Sequence, residues 1–168
     1  MPYFLHQDLI FSLSDLHRKF IRSLSALCYG AWMTEIYITK TKKLSGTNGT
    51  ELFRHAHSEY HLIVLRSKRK PYLRSAYFNK EKVFLDYFWN HLRSKNWNDR
   101  IRRLRFYSCA LDLIKNTRAH PTLESSISNS VKLHRFFGMN KQGERFAVQI
   151  KEYTKRKEKH FISVFPIP

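Results

Sequence analysis

Leu133-His134-Arg135-Phe136-Phe137, Arg145-Phe146-Ala147-Val148-Gln149-Ile150-Lys151-Glu152-Tyr153 and His160-Phe161-Ile162-Ser163-Val164-Phe165 are three short apolar-rich runs near the end of the chain. Asn140-Lys141-Gln142-Gly143 separates the first two, and the charged tip Thr154-Lys155-Arg156-Lys157-Glu158-Lys159 separates the last two. The middle run alternates as a half-buried strand does. Phe146, Val148 and Ile150 point one way, and Arg145, Ala147, Gln149 and Lys151 the other. In the last run the same rule sets Phe161 and Ser163 against Ile162 and Val164. The pattern predicts a three-stranded antiparallel meander over 132–168.

Working upstream, Pro121 and Glu124-Ser125-Ser126-Ile127-Ser128-Asn129-Ser130 read as a linker over 121–131. Asn98 or Asp99 is expected to start a helix reaching about Asn116, with Ile101, Leu104, Ser108, Leu111 and Ile114 inward. Asn79 is the expected cap of a second helix, from Glu81 to about Arg93, that buries Phe84, Leu85, Phe88, Trp89 and Leu92. Residues 66–74 read as a basic loop. Residues 34–41 alternate as a strand, and 51–65, ending in His61-Leu62-Ile63-Val64-Leu65, read as a partner strand across the Asn48-Gly49 turn. A further amphipathic helix is expected from Ser12 or Ser14 to about Trp32. Together these predict one α+β domain over 1–168. Helices pack on one face of a twisted, mostly antiparallel sheet, with a helical and strand part over 1–120 and the meander after the linker.

Charge narrows the function. Thirty-one Lys and Arg against 13 Asp and Glu leave a net +18 on 168 residues, well beyond what solubility needs. Such an excess points to a polyanionic partner, nucleic acid first and RNA favoured. Residues 51–120 carry sixteen basic and six acidic groups, over half of the excess, so the polyanion is expected across the 66–74 loop and the 99–116 helix. Two cysteines, Cys28 and Cys109, make neither a zinc set nor a disulfide framework, which suits a reducing cytoplasm. No signal peptide and no apolar run of about 20 residues is read, so no membrane partner is expected.

Three constellations carry chemistry. In Arg54-His55-Ala56-His57-Ser58-Glu59-Tyr60-His61, a strand would put 55, 57, 59 and 61 on one face, although at most two adjacent side chains would reach one ion. The paired histidines also resemble those of HUH-type single-strand nucleases, with Tyr87 as a candidate nucleophile. Solvated strand histidines, metal-free chemistry and metal binding all stay open there, and no metal site is assigned. In Arg100-Ile101-Arg102-Arg103-Leu104-Arg105, helical spacing sets Arg100 and Arg103 on one flank of the Ile101/Leu104 stripe and Arg102 and Arg105 on the other. That cationic arc suits phosphate contacts. Arg66, Lys68, Arg69 and Lys70 beside Tyr72 and Tyr77 join charge to rings on which unpaired bases stack. The meander's polar face offers His134 or Arg135, Arg145, Gln149, Lys151, His160 and Ser163. Metal-free RNA cleavage needs a base, an acid and cations on the phosphorane, and these residue types supply all three without a cofactor.

Phe136-Phe137-Gly138, Phe146-Ala147-Val148-Gln149-Ile150-Lys151-Glu152 and the closing His160-Phe161-Ile162-Ser163-Val164-Phe165-Pro166, following helices, resemble the BECR superfamily of barnase-, EndoU-, colicin- and RelE-like nucleases. The resemblance covers about 133–166. It implies a cofactor-free endoribonuclease of toxin type, with an inhibitor (antitoxin) protein as a further partner. It also implies a site around Ser163, with His160, Arg145 and Lys151 near it. The expected roles are His160 or His57 as acid or base, Arg145 and Lys151 as phosphate and transition-state stabilisers, and Ser163 as a hydrogen-bond donor to phosphate. A non-catalytic RNA- or DNA-binding module is the alternative, and a metal-dependent HUH-like nuclease stands behind it.

Overall fold

Asn48 begins a helix where the sequence suggests a hairpin turn. A computed structural model describes residues 36–168, which fall within one compact unit; the helix expected to end near Trp32 lies outside the described residues. Helix α1, Gly49–Leu65, replaces the strand expected over 51–65. The Asn48 side chain accepts the Glu51 N–H at 2.8 Å, and the Glu51 carboxylate accepts from the Thr47 N–H at 2.9 Å and hydroxyl at 2.8 Å. That reciprocal capping satisfies donors left open at a helix start. Leu52, Ala56, Tyr60 and Ile63 recur at helical spacing and turn toward the core. Gly49 lets the helix Trp97–Arg105 approach closely: a Cβ there would stand 2.5 Å from the tip of Ile101 and 2.6 Å from the Trp97 ring, so both would have to shift. Asn48→Ala is expected to lower stability by about 1 kcal/mol, read as a lower midpoint in thermal unfolding.

The remaining elements are β1 (Tyr37–Ile38), β2 (Tyr72–Arg74), β3 (Lys82–Phe84), α2 (Asp86–Arg93), α3 (Trp97–Arg105), α4 (Tyr107–Asn116), β4 (Leu123–Ser128), β5 (Val131–Met139), β6 (Arg145–Tyr153) and β7 (Glu158–Pro166). The sheet runs β1-β5-β6-β7-β3-β2, with β4 paired to the other end of β5. β1 lies parallel to β5 and β3 parallel to β7; every other pair is antiparallel. The α+β architecture and the terminal meander are as the sequence predicts.

Several boundaries differ from expectation: within the 34–41 run only Tyr37–Ile38 is described as a strand, and the expected 66–74 loop ends in β2. Residues 82–84 are a strand, and the helix starts only at Asp86. Asn79 does not cap it: Asn79 (φ 50°) and Lys80 (φ 64°) make the left-handed corner between β2 and β3, a conformation Asn tolerates better than most residues. Pairing of β3 with β7 and full burial of Val83 override the helical pattern of that segment. The helix expected over 99–116 is two helices. At Phe106 the N–H turns back to the Arg103 carbonyl at 3.1 Å, and the ring packs on Phe146 at 5.5 Å. The expected linker contains β4, whose polar residues hide a strand that pairs with β5 from Leu123 to Ser128.

The core lies on the helix-covered side of the meander. Across the strands Phe136 stands beside Val148 and Val148 beside Val164; His134 stands beside Ile150 and Ile150 beside Phe161. Phe161 stacks on Phe88 of α2 at 4.7 Å and 6°, and Phe88 stacks on Tyr107 of α4 at 5.0 Å. The β7 register shifts between the partners of Gln149 and Ile150, which leaves Ile162 as an extra residue. This β-bulge breaks strict alternation. Phe161 and Val164 therefore share the core face, whereas His160 and Ser163 share the opposite one. Alternation by twos would have separated each of those pairs.

At one end of the core face, His134 Nε2 lies 2.8 Å from Glu152 Oε2, and Lys159 Nζ is 3.1 Å from the other Glu152 oxygen. Lys159 also pairs with Glu81. Burial raises the Glu152 pKa, but hydrogen bonds from His134 and Lys159 outweigh it and hold the carboxyl below its ordinary 4.5. Burial likewise lowers Lys159, and Glu81 and Glu152 outweigh that to raise it above 10.5. Stability from Glu152 is thus present above 4.5 and lost as pH falls through its lower folded value; that from Lys159 is full below 10.5 and lost as pH rises through its higher one. Glu152→Gln is expected to destabilise at neutral pH, and the gap from wild type should close on acidification in urea unfolding.

Candidate nucleic-acid interface

The sheet face turned away from the core carries Leu133, Arg135, Gln149, Lys151, Tyr153, His160, Ser163 and Phe165, as the cross-strand partners dictate. At the β2–β3 end of this face, Arg66, Lys68, Arg69, Lys70 and Lys82 surround a depression of about 710 Å³, floored by Tyr72 and Phe84, with Glu158 as its one carboxylate. Lys82 Nζ sits 4.6 Å above the Tyr72 ring and Lys70 Nζ 5.8 Å from Phe84. Among the described residues, ion pairs bind Lys43, Arg103, Lys132 and Lys159 to carboxylates but none binds the four basic side chains of this loop. The loop charge is therefore available to a ligand.

A second basic depression, about 520 Å³, lies at the other end of β7, where Arg102, Arg105, Arg145 and Lys43 meet Phe106 and Pro166. Its Glu144 is paired with Lys43 at 2.5 Å. Glu158 in the first depression and Pro166 in the second are the two ends of β7. Eight residue steps separate them, roughly 26 Å at about 3.3 Å per residue. Arg103 and Arg135 bridge part of that distance, each over the Phe165 ring at 5.8 and 5.7 Å.

Between the two lies a groove of about 550 Å³ that brings Tyr87, Asn90 and His91 of α2 against Leu133, Gln149, Lys151 and Ile162 of the sheet, with Ile127 at its rim. In the sequence His91 is one polar position of an amphipathic helix, with no spacing that marks it. The docking of α2 on β7 places it in the lining of the same groove as Lys151. Burial, and then repulsion from Lys95 and Arg103, push the His91 imidazole below its ordinary 6.5 against a smaller pull from Asp99. Its ring is thereby kept neutral and able to accept a proton near neutrality. Lys151 Nζ lies 4.8 Å from the Tyr153 ring, and its hydrogen bond to the phenol lowers the Tyr153 pKa.

The five residues expected to act together do not share one cleft. Lys151 lines the groove. Ser163 and His160 stand on the same face but are each 1 % exposed. The Ser163 hydroxyl accepts from Arg103, which Asp99 holds at 2.9 Å, so Ser163 positions a guanidinium rather than meeting phosphate itself. His160 is packed against Tyr87 at 4.1 Å, its ring nitrogens 3.7 Å from Asp86 and 3.5 Å from Glu158, which closes it to a substrate. Arg145 lies in the far basic depression, six residues and roughly 20 Å along β6 from Lys151. His57 is on α1 in a separate aromatic cleft.

Of the arginine arc, Arg102 and Arg105 share one depression, as their common flank predicts. Arg103 reaches Ser163, and Arg100 donates to the carbonyls of Lys95, at 2.7 Å, and Arg93 at the end of α2. Because 51–65 is helical, His55 and His57 point about 200° apart rather than side by side, and the paired-histidine ligand set does not form. His55 Nδ1 donates to the Ser45 carbonyl at 2.9 Å, and Glu59 accepts from Ser108 at 2.6 Å. Among the described residues no cluster of three or more His, Cys, Asp or Glu side chains is arranged to hold a metal ion, and no helix is long and apolar enough to cross a membrane. No family model, curated protein or solved structure matches this chain.

Proposed function

We propose that this chain is a metal-independent endoribonuclease that lays single-stranded RNA along β7 and cleaves it in the groove between α2 and β6. The observation that carries the reading is that His91 and Lys151 line one groove, midway between two basic depressions. His91 takes the proton from a ribose 2′-hydroxyl; the oxygen attacks the adjacent phosphorus; the P–O5′ bond breaks. Lys151, the cation that lines the groove, faces the charge on the phosphorane and gives a proton to the leaving 5′ oxygen. The products are a 2′,3′-cyclic phosphate and a 5′-hydroxyl, so protons balance without water or cofactor. Tyr72, Phe84 and Phe165 offer rings to unpaired bases, and the roughly 26 Å track suits a strand of about four nucleotides or more.

The test is total RNA incubated with pure protein in EDTA. Cleavage lost in Lys151→Ala supports the reading, and intact RNA with wild type overturns it. A non-catalytic RNA-binding module is the second reading, supported by the burial of His160 and the distance of Arg145 from the groove. Both readings expect binding that weakens with salt. The combined substitutions Arg66→Ala, Lys68→Ala and Arg69→Ala should lower the salt slope by about 2, at about 0.7 per phosphate contact on a single strand. At 0.1 M salt the same relation gives roughly 100-fold weaker binding, measured by fluorescence anisotropy.

A further inference from the structure

The aromatic cleft beside the groove has no part in the chemistry above. Phe53, His57 and Tyr60 follow one another at four- and three-residue spacing along α1, and Trp89 of α2 meets all three at 5.6, 5.6 and 5.3 Å. These rings line a cavity of about 340 Å³ without filling it. Phe53, which a core role would cover, is 39 % exposed. Flat faces beside open space suit a planar ligand.

The polar groups of the cleft are selective. Asp86 begins α2; one of its oxygens accepts the Tyr87 N–H at 3.1 Å and lies 3.7 Å from His160. Its other oxygen has no hydrogen bond within the described residues. A carboxylate only accepts, so the ligand edge must donate. Guanine is the RNA base with two adjacent donors, N1–H and N2–H₂, on its Watson–Crick edge. Arg93 and Arg100 line the same cavity. The bonds from Arg100 to the carbonyls of Lys95 and Arg93 hold its guanidinium in place while leaving N–H groups for an anion. An organic cation would suit the rings and Asp86, but the two arginines repel it.

From these observations we infer that the cleft is a subsite for a guanine nucleotide, stacked among the α1 rings, read by Asp86 and held through phosphate by Arg93 and Arg100. The inference rests on the RNA reading above and gives it a base preference. Asn90 lines both this cleft and the catalytic groove, so a guanine seated here neighbours the cleaved linkage.

The test uses the full chain with fluorescein-labelled U₈, the same strand carrying one guanosine, and free GMP, IMP and AMP as competitors. GMP is expected to compete about tenfold or more better than AMP, with IMP, which lacks the N2 amino group, in between. Asp86→Asn should abolish that preference and leave U₈ binding unchanged. Arg93→Ala should weaken GMP more than guanosine. A preference for free GMP over AMP supports the pocket, and the same preference in the guanosine-containing strand assigns it to a residue of bound RNA as well. Equal competition by GMP and AMP overturns it, as does displacement by tetramethylammonium with no effect of GMP. The GMP–IMP comparison on wild type decides the matter even where Asp86→Asn fails to fold. Salt-dependent U₈ binding is read separately, so loss of the pocket and loss of the RNA reading are distinguishable.

Discussion

His91→Ala is expected to slow RNA cleavage roughly 10²- to 10⁴-fold, the usual worth of a positioned general base, with little change in RNA affinity. On the proposed reading the affinity comes from the loop cations and the arginines of α3, which the substitution leaves untouched. The pH profile carries the sharper form of this prediction. Burial, with Lys95 and Arg103 repelling the protonated ring, holds the His91 pKa below 6.5. In the proposed mechanism the active form is the neutral imidazole, so the rate should climb with pH through a region below 6.5 and level off by neutrality. Lys95→Ala removes one repelling charge and should move that acid limb to higher pH. Single-turnover cleavage of a labelled oligonucleotide measures both effects. A flat profile over that range, or equal rates for wild type and His91→Ala, would remove His91 from the mechanism.

Phe161→Ala is expected to cost about 3–5 kcal/mol, a large share of a typical stability of roughly 5–15 kcal/mol. The ring is fully buried, lies flat on Phe88 and sits within 6.4 Å of Tyr107, so it joins β7 to both α2 and α4. Its removal leaves a cavity that surrounding rings, held by neighbours on every side, cannot collapse to fill. The urea midpoint should fall steeply. Because α2 also carries His91, cleavage should fail at temperatures where the fold survives. A loss under about 1 kcal/mol would mean that this stack does not hold α2 to the sheet.

The chain itself determined the meander, the excess of positive charge and the helical arc of arginines, because each is local. Strand alternation in 145–153 follows from a period of two, and the loop charge of 66–70 needs no partner to be seen. The capping of α1 was also written locally, in Asn48 and Glu51, but Asn-Gly is an equally strong hairpin signal and read as one. Other features exist only through packing. Val83 is a strand residue because β7 offers it a partner, and β4 is a strand because β5 does. The site belongs to this second kind. One extra residue at Ile162 sets His160 and Ser163 on the same face, where close packing then buries both. The imidazole open to the groove comes instead from half-buried His91, which lines it together with Lys151 because Phe88 of the same helix docks on Phe161. Spacing along the sequence fixes which residues share a strand or helix face. Which faces meet is set by how side chains fill the space between elements, and that is a property of the folded whole.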